Sequence, residues 1–108
     1  MGWFGTDSEE YNAYQQVQNA PHKSSISHEL IAAAASYEAA KAYENHCERN
    51  GQPQSHEKAK EILAGLSGAF IDHIVETKGL DFVDKEKAKR HAHERTTGAY
   101  DATNSNNY

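Results

Sequence analysis

The sequence predicts an all-α protein, a small bundle of three main helices, and three observations carry that expectation. Apolar residues recur at three- and four-residue spacing through two long stretches, about 25–49 and 56–78. Serines stand just ahead of each stretch and a glycine close behind, the punctuation of helix starts and stops. Alanine, the strongest helix former, crowds the first stretch from Ala32 to Ala35 and again at Ala39, Ala40 and Ala42.

Residues 1–23 open with MGWFGTDSEEYNAYQQ and close with NAPHK, mixing aromatic and polar side chains without a sustained helical period. They are expected to form an aromatic arm whose Trp3 and Phe4 dock on the helical body, because large apolar rings gain from leaving water. The first helix is announced by SSISHEL, with Ser24 or Ser25 as its cap, and closes near Arg49 before Asn50, Gly51 and Pro53. Ile26, Leu30, Ala33, Ala34 and Tyr37 fall on one side of it, and Ile31, Ala35, Ala39, Ala42 and His46 on nearly the opposite side. A helix apolar on two faces belongs at the centre of a bundle.

The second helix takes Ser55 as its cap and Glu57 in its first turn, and stops at Lys78-Gly79. Ala59, Ile62, Leu63, Leu66, Ala69, Phe70 and His73 make a stripe about 120° wide, which predicts that His73 faces the core. Gly65 and Gly68 each cost about 1 kcal/mol against alanine, so a close approach by the first helix is expected there. The third helix, about 82–97, runs through KEKAKRHAHER with a meagre apolar side of Ala88, Ala92 and Ala99. It is expected to pack peripherally and to end at Gly98, leaving 98–108 as a frayed polar tail.

The large apolar side chains are few in these 108 residues, so the core is thin and a homo-oligomer or protein partner is a reasonable addition to it. One cysteine, Cys47, excludes a disulfide framework and a multi-cysteine metal site, and fits a reducing compartment. With no apolar run of about 18 residues and no basic-then-apolar leader, the expectation is a cytoplasmic protein without a membrane span. The net charge of −5 gives no general attraction for nucleic acid, but seven histidines would carry it to +2 if all were protonated. Sensitivity to pH through these histidines is one expected property.

The segments SHELIAAAASYEAAKAYENH, NGQPQSHEKAKEILAGLSGAFID and ETKGLDFVDKEKAKRHA, with the opening MGWFG, resemble the fungal CipC-like, concanamycin-induced antibiotic-response family. The resemblance runs from Met1 to about His93 and leaves the end, TTGAYDATNSNNY, outside it. It implies a small intracellular stress-response protein, and it brings no catalytic residue with it.

Chemistry must then come from the residues themselves. HExxH is absent, because His28-Glu29 is followed by Leu30, Ile31 and Ala32. His91 and His93 point about 200° apart on a helix, and His28 and His46 lie about 27 Å apart along one, so neither pair shares an ion. A metal or haem site, or a phosphoester hydrolase, would have to be assembled between helices around His73, with Asp72, Glu76 and His91 as the weak candidates. Cys47 and His46 diverge as helical neighbours and form no dyad. Lys85, Lys89, Arg90 and Arg95 are candidates for contact with an anion or an acidic partner. The reading the residues favour is an interaction module without a defined active site, with no cofactor predicted.

Overall fold

The computed structural model describes residues 8–21, 26–80 and 84–104, and these form four helices rather than three: α1 (Glu9–Asn19), α2 (His28–Asn50), α3 (His56–Lys78) and α4 (Lys85–Asn104). The extra helix lies inside the segment expected to be an arm. Ser8 caps α1 by accepting the Tyr11 amide at 3.0 Å, with Glu9 and Glu10 in the first turn where the helix dipole favours negative charge. At its other end the Lys78 ammonium donates to the carbonyls of Gln18 (3.2 Å) and Ala20 (2.6 Å), so a lysine of α3 satisfies the last oxygens of α1. The expected docking of Trp3 and Phe4 lies outside the described residues.

α2 is the centre, packed against each of the other three helices. Six consecutive residues, Ile31 to Ser36, are buried, because α1 covers the side that α3 and α4 leave open. α1 contributes Ala13 and Val17 to that cover, and Tyr14 wedges between Tyr37 and Phe70 with ring centroids 4.9 and 6.1 Å away. The cap of α2 is Ser27, whose hydroxyl accepts the Leu30 amide at 3.1 Å; Ser24 and Ser25 fall outside the described residues. Gly51 closes the helix at φ 81°.

α3 starts at its Ser55 cap and ends at Gly79, whose left-handed φ of 66° lets the Leu80 amide reach back to the Val75 carbonyl at 2.9 Å. Leu80 is thereby turned into the core. The buried arc of α3 is rotated from the expected stripe: Ala59, Leu63, Ser67, Phe70, Ile71, Ile74 and Val75 face inward, while Ala69 and His73 are exposed. α3 meets both α2 and α4, and its inward face points between them. The expected close approach at the glycines is not made among the described residues. A Cβ on Gly65 would meet nothing within 4 Å, and one on Gly68 would meet only the Lys89 stem at 3.8 Å.

α4 is capped by Asp84, which accepts the Lys87 amide at 3.1 Å, and continues through Gly98 to Asn104, so the expected stop gives way to about two more turns of helix, and the rest of the expected tail lies outside the described residues. None of the helices is long and apolar enough to cross a membrane, among the described residues.

Candidate functional site

Most of the chemistry-bearing side chains with partners on other helices converge on α4. Its buried ridge is Ala88, Ala92, Thr96 and Tyr100, one residue every four. Only one of these is large, so α4 offers little apolar area and is held instead by polar contacts. In the middle of the ridge the Thr96 hydroxyl donates to Ser36 Oγ at 3.1 Å, and Ser36 donates to the Ala32 carbonyl at 2.9 Å, with the Ala92 carbonyl of α4 at 3.4 Å. Both hydroxyls are fully buried, and alanine on either side lets the backbones of α2 and α4 come close enough to make these bonds.

Along its flanks α4 is clamped by charge. Arg95 Nη1 donates to Glu10 at 2.6 Å and Glu9 at 3.1 Å on α1. Burial pulls the Arg95 guanidinium down, but hydrogen bonds to Glu10 and Glu9 more than offset it, so its net shift is upward. Lys89 pairs with Asp72 of α3 at 3.0 Å, Lys85 stands 3.8 Å from the same carboxylate, and Asp101 pairs with Lys60 at 3.0 Å.

The two ends of α4 are each held by a histidine. The Asp84 backbone N–H donates to His28 Nε2 at 3.1 Å, and His56 Nδ1 shares a 2.6 Å hydrogen bond with the Tyr100 hydroxyl. A backbone N–H can only donate, so the first contact requires a bare Nε2 and an uncharged ring. The second contact is compatible with either charge state, because a phenolic oxygen both donates and accepts. Beside it, the Tyr100 ring meets Tyr43 edge-on at 6.2 Å. Burial first, then a hydrogen bond with Cys47 and the proximity of Tyr100, push the Tyr43 hydroxyl well above the usual tyrosine range.

These two histidines have the same place in the sequence. Ser27-His28-Glu29 and Ser55-His56-Glu57 open α2 and α3, each with serine as the cap and histidine as the first helical residue. The repeated triplet is the local feature the two latches share, though it does not name their partners. The first turn of a helix points its side chains back toward the preceding connection, which is where a neighbouring helix end can be reached.

The residues singled out from the sequence fall elsewhere. His73 and Glu76 are exposed on α3, and Asp72 is engaged by Lys85 and Lys89, so among the described residues no interhelical centre forms around His73. Among the described residues, no three of His, Cys, Asp or Glu come together where they could hold a metal ion. His91 is half-buried and lines an open depression of about 440 Å³ with Glu29, Ala32, Glu94 and Arg95. A second depression of about 560 Å³ lies on the other side of Arg95, between Glu9, Asn12, Gln16 and Glu29. Of the four basic candidates, Lys85, Lys89 and Arg95 are engaged by carboxylates of the chain and Arg90 is exposed.

Fold and site together define a class: a small all-helical protein whose described residues form four helices, with α4 held by alanine contacts, ion pairs and histidine latches. The chain belongs to the family described as virulence factor CipC-like, which matches residues 13–103 and so takes in all of α2 and α3 and nearly all of α4. No curated protein and no solved structure matches it.

Proposed function

We propose that this protein is a cytoplasmic interaction module of the stress and antibiotic response, without enzymatic chemistry of its own, and that acidification switches it by loosening α4. The observation that carries the reading is the His28 contact. Its acceptor nitrogen exists only in the uncharged ring, so protonation removes the bond between the start of α2 and the start of α4. Among the described residues, the charged groups adjoining this contact along the chain are Asp84, whose carboxylate caps Lys87, Lys85 in the first turn of α4, and Glu29 next to His28 on α2; Glu9, Glu29 and Arg95 line the depression beside Ser27. Loosening α4 would uncover the α2 and α3 surfaces it covers, which supplies a contact surface for a partner only in acid.

The bond needs a bare Nε2 as its acceptor, so acid works against it. One hydrogen bond contributes about 1 kcal/mol, equivalent to roughly 5 °C in a chain of this size. Thermal melting at pH 7.5 and 5.5 tests this with His28→Gln as the comparison, since a glutamine oxygen can accept the same N–H without titrating. The wild type should lose about 5 °C more than the variant on acidification. Equal losses would remove His28 as the switch.

A further inference from the structure

α3 presents a largely solvent-facing stripe, touched only where Lys85 and Lys89 of α4 pair with Asp72 and where Ile62 packs on the cluster of Tyr43, Leu63 and Tyr100, among the described residues. Lys58, Ile62, Gly65, Ala69, Asp72 and Glu76 recur at alternating spacings of four and three and lie within about 80° of one another on the helix. Ile62 is half-buried and the other five are exposed. At the centre of the stripe, the space where a Gly65 Cβ would stand is open, so the chain bears the helix-weakening effect of glycine there with no contact from the described residues to offset it.

We propose that this face is the contact between two copies of the chain, with α3 lying antiparallel to α3 of the second copy about a two-fold axis level with residue 67. The order of charges along the stripe singles out a second copy as the occupant. In that register Gly65 faces Ala69, so small residues meet where the helices cross, and both backbones can approach closely. Toward one end Lys58 faces Glu76. The same pair recurs at the other end by symmetry, as an isologous interface requires. Asp72, opposite Ile62, is already neutralised by Lys85 and Lys89. A parallel arrangement would set Lys58 on Lys58 and Glu76 on Glu76. This proposal goes beyond the acid switch and uses a different face, since His28 takes no part in it.

A single helix pair buries less than the roughly 1,200 Å² of a standard stable interface, so association should be weak, with a dissociation constant on the order of tens of micromolar. Sedimentation equilibrium of the full chain from about 5 to 500 µM at pH 7.5 tests it. The wild type should be a monomer–dimer mixture. Lys58→Glu and Glu76→Lys should each weaken the dimer about fivefold, because symmetry counts every charge pair twice, and the double variant should restore it. Ala69→Arg should abolish association while leaving the helical circular dichroism and dilute melting temperature unchanged, since residue 69 is exposed. A wild type monomeric throughout, or a double variant no better than the singles, would overturn the proposal. Neither result bears on the His28 comparison.

Discussion

The buried hydroxyl pair between α2 and α4 allows the sharpest test of how this thin interface is held. Replacing Thr96 by valine keeps the shape of the side chain but removes the donor that Ser36 Oγ accepts at 3.1 Å. Ser36 then keeps its bond to the Ala32 carbonyl and is left with a buried lone pair. Replacing Ser36 by alanine does the converse and strands the Thr96 hydroxyl, which must fall back on its own helix. Leaving one buried polar group unsatisfied costs about 1–2 kcal/mol, whereas removing both partners together is close to neutral. Each single variant should therefore lower the urea-unfolding free energy, followed by circular dichroism, by about 1–2 kcal/mol, with the slope unchanged. The double variant should lie within about 0.5 kcal/mol of wild type, giving a coupling free energy of about 2–4 kcal/mol. A double variant as unstable as the sum of the singles would refute this account and show that the pair serves mainly to fill space. Dilute samples, on the order of 1 µM, keep any self-association out of the measurement.

Other outcomes follow from single positions. Burial raises the Tyr43 hydroxyl, so the protonated form is favoured by folding; the stability it contributes is present below about pH 10, where an unfolded tyrosine ionises, and is lost as pH rises beyond it. Tyr43→Phe should therefore flatten the loss of melting temperature between pH 9 and 11, and an unchanged slope would contradict the assignment. Gly79→Ala should lower stability by about 1 kcal/mol or more in urea unfolding, because φ 66° strains any residue with a Cβ and the Leu80 anchor depends on that turn. Gly65→Ala should raise it by up to about 1 kcal/mol in dilute solution, since the added methyl meets open space. Arg95→Met should leave Glu10, 15% exposed, without its cation; partial solvent screening holds the cost to about 1 kcal/mol, and added salt should shrink it.

The two long helices were legible because their signals are local. Ser55 and Gly79 bound α3 as read, and α2 runs from a serine cap to the Asn50-Gly51 stop, with only the choice of serine altered. Its central place was legible too, since alanines on opposite faces can be buried only by neighbours on both sides. α1 escaped notice because its inward face has just Ala13 and Val17, one turn apart, too few to mark a period. The signal at hand was Ser8-Glu9-Glu10, a cap with an acidic first turn, ahead of a stop at Pro21. In the last helix Gly98 and the polar residues after it read as a stop, because glycine weakens a helix and the tail offers no apolar run. Burial of Tyr100 and its bond to His56 carry the helix past the glycine.

The histidines mark where local reading stops. By spacing alone His73 joins Leu66 and Phe70, and His28 and His56 are merely first residues of helices. Two neighbours on α3 instead of one rotate its buried arc toward Ser67 and Ile71, and His73 is left in solvent. By itself the sequence determined the helical class, the caps and stops, the central helix and the family resemblance, because these depend on residues a few positions apart. Only the tertiary structure decided which faces meet and which histidines reach α4. A contact such as His28 to Asp84 spans 56 positions, and no period in the chain encodes it.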